Sequence, residues 1–171
     1  MNSPDPLLTD HLSTDYLAQA HPRRIASQSL VRDHRGEILL GQSRRRLERR
    51  ELLTWELPGG WTRADEDPRT ACRRTIRQAF GVSVDPWGLL LMHWQPAQDG
   101  AAEEHTYIWN AARLRSLTPF QLATDGEVVQ ARFVPRNQLT AYVPEGLVER
   151  IDAALRAVRC GRSDYLTSRG R

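Results

Sequence analysis

Two histidines on neighbouring predicted strands are the first candidates for acid–base chemistry. His93 lies in a strand predicted over residues 88–95, and His105 lies in the next, predicted over residues 104–112. Because an imidazole gains and loses a proton near neutral pH, either side chain can act as a general acid or base. The alternative for His93, on an apolar strand face, is a hydrogen-bonded core residue.

Alternation along the second strand divides its side chains between two faces. His105, Tyr107 and Trp109 share one face, because successive side chains of a strand point to opposite sides. Tyr107 and Trp109 are therefore candidates for contacts with a bound ligand. The alternative is a half-buried strand that uses its aromatic residues for cross-strand packing. The opposite face is of similar polarity, so the pattern leaves open which face lines a site.

Acidic residues stand directly before this strand. Glu103 and Glu104 precede His105, and Glu104 is a candidate acid or base beside it. A carboxylate in a loop is otherwise solvated and contributes little, which is the alternative for both residues.

The densest run of charge lies between Gln42 and Thr54. It contains five arginines together with Glu48 and Glu51. Guanidinium groups bind anions through paired hydrogen bonds, so Arg46 and Arg49 are candidates to clamp an anionic group of a ligand. The alternative is a solvated loop or short helix.

A fixed spacing of glycines and charged residues marks the middle of the chain. Gly60 is followed after five residues by Glu66, which is followed after seven by Arg74, and Gly81 closes the pattern. With Trp55–Gly59, Ile76 and Val82, this segment resembles the Nudix box. The resemblance extends over about residues 23–160 and implies an α/β (α+β) Nudix fold, in which a mixed β-sheet is sandwiched between helices.

The segment departs from the family pattern at its three metal-binding glutamates, whose positions hold Thr75, Gln78 and Ala79. In the family these carboxylates bind magnesium, which activates water against a pyrophosphate bond. Magnesium prefers hard oxygen ligands, and the three replacements carry no charge. We therefore expect these positions to line the family's pocket without a metal. No cofactor is expected, and magnesium only if its ligands have moved, for example to Glu103, Glu104 or Glu127.

The structural part of the box is retained. The resemblance implies that Glu66 and Arg74 tie the loop that begins at Gly60 to a helix that ends at Gly81. Trp61 follows the glycines and is a candidate to lie over a planar ligand. The alternative is that its indole anchors the loop by burying area.

The remaining patterns place these residues on a frame of strands and helices. Residues 1–22 are predicted to be a tail with a short helix, residues 23–160 the Nudix domain and residues 161–171 a polar tail. Asp67 and Gly81 are typical of the two ends of a helix, and a second amphipathic helix is predicted over residues 144–160. Strands are predicted over residues 24–32 and 37–41, which form a hairpin, and over 55–57, 88–95, 104–112 and 128–134.

Composition limits the classes of function. The 171 residues suit one domain. No apolar run is long enough to cross a membrane, and no secretory signal pattern is present. Cys72 and Cys160 lack metal-type spacing. A net charge of +3 does not indicate nucleic-acid binding. We expect a cytoplasmic protein with a small-molecule ligand, anionic or aromatic, and the resemblance adds a homodimer as an expectation.

Three hypotheses follow from the altered box. The favoured one is a repurposed enzyme that converts a small molecule by metal-independent acid–base chemistry with His93, His105 and Glu104, by analogy in specialised metabolism. The second is a ligand sensor or partner-binding protein without catalysis. The third is a magnesium-dependent nucleoside-diphosphate-X hydrolase whose metal ligands have moved.

Overall fold

Two β-sheets form the frame of the protein. The computed structural model describes residues 23–98, 100–115, 120–124 and 126–168; the short helix predicted within residues 1–22 lies outside them. One sheet contains β1 (Arg23–Leu30), β4 (Gly59–Trp61), β5 (Pro86–Gln95), β6 (Glu103–Ala111) and β8 (Asp164–Thr167), in the order β4-β1-β6-β5-β8. The other contains β2 (Ile38–Ser43), β3 (Trp55–Glu56) and β7 (Val128–Val134), in the order β3-β2-β7.

The larger sheet is mixed and lies between two helices. Its β1–β6 and β5–β8 pairs are parallel, and its other pairs are antiparallel. The helices are α1 (Arg44–Glu48), α2 (Pro68–Phe80) and α3 (Glu145–Cys160), with a 3-10 helix at Arg136–Ala141. Ile108 of β6 belongs to the apolar core on the α3 side, whereas the next residue, Trp109, packs with the core on the α2 side. This arrangement confirms the predicted mixed sheet between helices.

Both ends of α2 are set by local chemistry. The Asp67 carboxylate accepts a hydrogen bond from the Thr70 backbone N–H at 2.8 Å, and Pro68 occupies the first turn. Gly81 ends the helix with φ +67°, a left-handed conformation that glycine adopts without strain. The predicted limits of this helix are therefore confirmed.

The hairpin predicted over residues 24–41 is wrong in its pairing. Only a short bridge, Arg32 opposite Ile38, joins the two strands. Beyond it β1 enters the five-stranded sheet and β2 enters the three-stranded sheet. Turn residues can predict a reversal of the chain, but the choice of sheet depends on partners distant in sequence.

The polar tail predicted over residues 161–171 contains a strand. β8 runs parallel to β5 at the edge of the sheet, with Tyr165 opposite Met92 and Leu166 opposite His93. Leu166 packs against the core, whereas Tyr165 is exposed. A four-residue strand with one core side chain is too weak a pattern to recognise in sequence.

Among the described helices, none has both the length and the apolar character that a membrane span needs. The longest, α3, is amphipathic and packs its apolar side on the larger sheet, so its hydrophobic residues serve the core.

Candidate functional site

A cavity of about 290 Å³ lies between the second half of α2 and the smaller sheet. Thr75, Gln78 and Ala79, the three positions that carry glutamates in the Nudix pattern, form one wall of it. Gly41 of β2 and Val128 of β7 are on the other side. We call this space the box cavity.

None of the three altered positions presents a charged side chain to the box cavity. The Thr75 hydroxyl donates back to the helix carbonyls of Ala71 and Cys72, at 2.9 and 3.1 Å. The amide oxygen of Gln78 accepts from Arg74 at 3.3 Å, and Ala79 has no polar side-chain atom. The side-chain oxygen atoms that replaced the carboxylates are thus already bonded within the helix.

The two carboxylates in the described wall of the box cavity have basic partners. Arg46 donates to Glu56 through Nε and to Glu51 at 2.6 Å through Nη1. Glu127 accepts from the Ser43 hydroxyl at 2.9 Å, and Arg45 Nε lies 4.0 Å from it. Their charge is therefore partly compensated by the protein itself.

The described residues do not fit a magnesium site. Magnesium needs near-octahedral oxygen ligands and keeps its waters unless carboxylates repay their loss. Across the part of the chain that the structure describes, no cluster of three or more acidic, histidine or cysteine side chains has a metal-binding arrangement. The described residues therefore supply no set of metal ligands at the box cavity.

Glu66 and Arg74 make the tie that the sequence pattern predicted. The guanidinium donates to both carboxylate oxygens, at 2.7 and 2.6 Å, and to the Trp61 carbonyl at 3.1 Å. These bonds from Arg74, with a further bond from the Arg63 backbone N–H, lower the pKa of Glu66 to about 2. The pair holds the loop after Gly60 against α2.

A second cavity, of about 430 Å³, lies between the larger sheet and α3. We call it the polar cavity. It shares a wall with the box cavity, formed by Glu56, Leu57, Gly59 and Gly60. Four of the predicted site residues line the polar cavity: Arg46, Trp61, His93 and Glu104.

Three residues that line this cavity each have a buried polar atom without a hydrogen-bond partner among the described residues: Gln28 Oε1, His93 Nδ1 and Arg150 Nε. A buried polar atom without a partner costs roughly 1–3 kcal/mol, so folded proteins rarely leave several in one place. Gln28 offers an acceptor and Arg150 a donor, whereas His93 Nδ1 can be either, depending on its tautomer. These three lining residues are therefore candidate contacts for a polar ligand.

His93 is uncharged at neutral pH. Burial lowers the pKa of its imidazole to about 4, with a further contribution from the positive charge of Arg150. Its Nε2 lies 2.9 Å from the Ser168 hydroxyl, so one ring nitrogen is engaged, whereas Nδ1 has no partner among the described residues. Burial also lowers the pKa of Arg150.

His105 lies on the other face of the sheet from His93. In the β5–β6 register, His93 stands opposite Thr106, which shares a face with Glu104 rather than with His105. His105 instead bonds Glu103 at 2.6 Å. The structure therefore brings His93 and Glu104 together and leaves His105 outside both cavities.

Tyr107 and Trp109 also lie on the far face. Their rings stack with centroids 6.2 Å apart, and the Trp109 indole donates to the Ser27 hydroxyl at 2.9 Å. Arg49 is exposed where α1 ends, and neither cavity is lined by it, whereas its neighbour Arg45 lines the polar cavity. Of the two candidates for an anion clamp, Arg46 lines a cavity, where it is already paired with Glu56 and Glu51, and Arg49 lines neither cavity.

Sequence reasoning missed Gln28, Arg150 and Ser168. Arg150 had a recognisable pattern, because it follows Leu147 by three residues and precedes Ile151 on the apolar side of α3. A charged residue beside an apolar stripe indicates a polar pocket or a buried pair. Gln28 and Ser168 had no comparable pattern.

Comparison with known proteins identifies the family. A model of the NUDIX domain matches residues 22–158. The chain belongs to the Nudix family. The box that suggested this in sequence is the strand–loop–helix segment whose first part, up to Gly60, lies between the two cavities. None of the curated proteins compared matches the chain.

Solved Nudix-fold structures share the architecture at low sequence identity. A MutT protein from Methanosarcina mazei Go1 is 17% identical, with a TM-score of 0.62, over 84% of this chain and 98% of its own. An ADP-ribose pyrophosphatase from Streptococcus suis is 16% identical, with a TM-score of 0.59, over 85% and 98%. An Ap4A hydrolase from C. elegans is 16% identical, with a TM-score of 0.60, over 81% and 98%. At this identity the similarity supports the Nudix fold alone.

The lowered pKa of His93 predicts a pH-dependent stability. Between its folded pKa of about 4 and the ordinary value of 6.5, the unfolded chain binds the proton more readily, so stability falls as pH falls through this range. From pH 7.5 to pH 5 this single group removes about 2 kcal/mol. Urea unfolding should show that loss in the wild type, and a loss smaller by about that amount in His93→Gln. A substitution at the exposed His34, His34→Gln, should behave as the wild type; equal pH dependence in all three proteins would contradict the assignment.

Proposed function

We propose that this Nudix protein binds a small molecule in the polar cavity, converts it by metal-independent acid–base chemistry, and has lost magnesium-dependent pyrophosphate hydrolysis. The observation that carries the proposal is the contrast between the two cavities. The family's metal positions offer no carboxylate, whereas three residues that line the polar cavity have unpaired polar atoms.

Loss of hydrolysis follows from the charges needed for that reaction. A metal polarises the phosphoryl group, generates the nucleophile and stabilises the charge of the transition state. Replacement of three carboxylates by Thr75, Gln78 and Ala79 removes three negative charges from the metal side of the pocket. The nearest described acids, Glu56 and Glu127, already have arginine partners.

Acid–base chemistry in the polar cavity would rest on Glu104 and His93. Glu104 accepts from the Thr106 hydroxyl at 3.0 Å and lines the same cavity as the imidazole. We propose that Glu104 takes a proton from the ligand, while His93 and Arg150 hold the ligand through Nδ1 and Nε. Trp61 and Arg46 would line its entrance.

A second candidate is a ligand-binding protein without turnover. The pKa of His93 favours it, because a base works best when its pKa lies near the working pH and this one lies near 4. The hydrogen bond to Ser168 also suits a fixed binding group. Mass spectrometry of a ligand released after incubation distinguishes the two, since turnover changes its mass or isomeric form and binding does not.

Other proposed features rest on the family and the composition. Nudix structures bind small molecules such as nucleotide derivatives, and the C. elegans protein is described as an Ap4A hydrolase in a binary complex. A small-molecule ligand, a cytoplasmic location and a homodimer are proposed for this chain.

The protein should lack the hydrolytic reaction of the family. Incubation with ADP-ribose, NADH or nucleoside triphosphates and magnesium or manganese should release no phosphate product above the blank, because the metal positions lack carboxylates. A Nudix hydrolase with an intact box, assayed in parallel, supplies the positive control. Metal-dependent turnover on the order of 1 per second, an ordinary enzyme rate, would contradict the proposal.

Ligand binding in the polar cavity can be tested with a small neutral amide. Benzamide offers an N–H to Gln28 Oε1 and a carbonyl to Arg150 Nε, so it should bind and shift the NMR signals of both residues. Arg150→Met should weaken this binding about tenfold, the effect of roughly 1.4 kcal/mol. Arg159→Met makes the same change at an exposed position of α3 and should have no effect. Equal affinity of the wild type and Arg150→Met would exclude the polar cavity as the site.

A further inference from the structure

The box cavity differs from the polar cavity in the chemistry of its wall. The part of its wall that α2 and the smaller sheet form includes Ala79, Phe80 and Val128, together with the backbone of Gly41. Phe80 packs so closely on Gly41 that a Cβ atom there would lie 2.7 Å from its ring. This part of the site is therefore apolar and tightly packed.

Thr75 adds its methyl group to this apolar surface. Its hydroxyl is turned back to the carbonyls of Ala71 and Cys72. Its Cγ2 faces the glycine loop, since a Cβ built on Gly60 would lie 2.9 Å from it. Where the family pattern has a charged side chain, this protein therefore presents a methyl group.

The polar side chains that line the box cavity are Ser43, Glu56, Thr75, Gln78 and Glu127. Gln78 and Glu127 are exposed, and each is engaged by other side chains. An anionic pyrophosphate would meet Glu56 and Glu127 without a metal to offset the repulsion. An uncharged hydrocarbon group would instead remove apolar surface from water, which gains about 25 cal/mol per Å².

We propose that the box cavity is an apolar subsite, which binds an uncharged aryl or short alkyl group of the ligand. The inference rests on the proposed function, because the polar part of the same molecule would occupy the neighbouring polar cavity across the shared wall at Gly59 and Gly60. The volume of about 290 Å³ suits such a group, since a dry apolar cavity of about 150 Å³ already accepts benzene or xenon. The ligand class is thus a neutral, amphiphilic small molecule rather than a nucleoside diphosphate.

The test uses xenon and toluene, which have no polar group to bind elsewhere. Crystals of the full chain under xenon pressure should show a xenon atom beside Ala79 and Phe80. Toluene, followed by NMR, should shift the signals of the same residues. Absence of xenon from the box cavity and of these shifts would overturn the inference.

Two variants at Ala79 make the test specific. Ala79→Glu restores a charged side chain and should weaken toluene binding about tenfold or more, because the carboxylate would have to be desolvated. Ala79→Leu fills the space with apolar atoms and should displace xenon without adding charge. Undiminished binding in both variants would overturn the inference even if one of them were poorly folded.

Matched controls separate this inference from the proposed function. Thr70→Glu adds the same charge on an exposed position of α2 and should bind toluene as the wild type does. Arg150→Met, on the polar cavity, should also leave toluene binding unchanged. Metal-dependent hydrolysis of nucleotides would overturn the proposed function whatever xenon does, whereas a missing xenon site would overturn only the apolar subsite.

Discussion

The ion pair between Arg74 and Glu66 is the interaction on which the site depends. It ties α2 to the loop after Gly60 through two charge-assisted hydrogen bonds, and the same guanidinium reaches the carbonyl of Trp61. Gly59 and Gly60, in strand β4 just before that loop, form part of the wall between the two cavities. The frame that holds a metal site in the Nudix pattern is thus intact here, although its metal-binding side chains have been replaced.

The replaced residues change the chemistry while preserving the helix. The Thr75 hydroxyl donates to carbonyls of α2, and the Gln78 amide oxygen accepts from Arg74, so both side chains are held by bonds within the helix. Glu56, in the shared wall, bonds Arg46. Glu104, His93 and Arg150 line the polar cavity beyond it, and His93 and Arg150 each have an unpaired buried polar atom. We infer one site with an apolar half and a polar half.

Sequence patterns predicted the parts of this fold that depend on local chemistry. The caps at Asp67 and Gly81 and the strand that carries His93 follow from residue types at short spacing, and the loop-to-helix tie was implied by the resemblance to the Nudix box. The pairing of β1 and β2 with different sheets does not, because it depends on contacts far apart in sequence.

The candidate site was predicted less completely, for the same reason. His93 and Glu104 were chosen with His105, but only the β5–β6 register reveals that His105 lies on the opposite face. Gln28, Arg150 and Ser168 come from three separate elements, and their convergence on one cavity has no counterpart in local spacing. The burial of their polar atoms, which marks these residues as candidate ligand contacts, arises only when the chain folds.

We propose that the Nudix positions of this protein no longer hold a divalent metal. Anomalous diffraction from crystals soaked in manganese chloride tests it directly, because manganese substitutes for magnesium at oxygen sites and scatters anomalously. We expect no manganese peak in the box cavity beside Thr75, Gln78 and Ala79. An ordered manganese ion there, with the Gly60 carbonyl, Glu56 or Glu127 as its ligand, would contradict it.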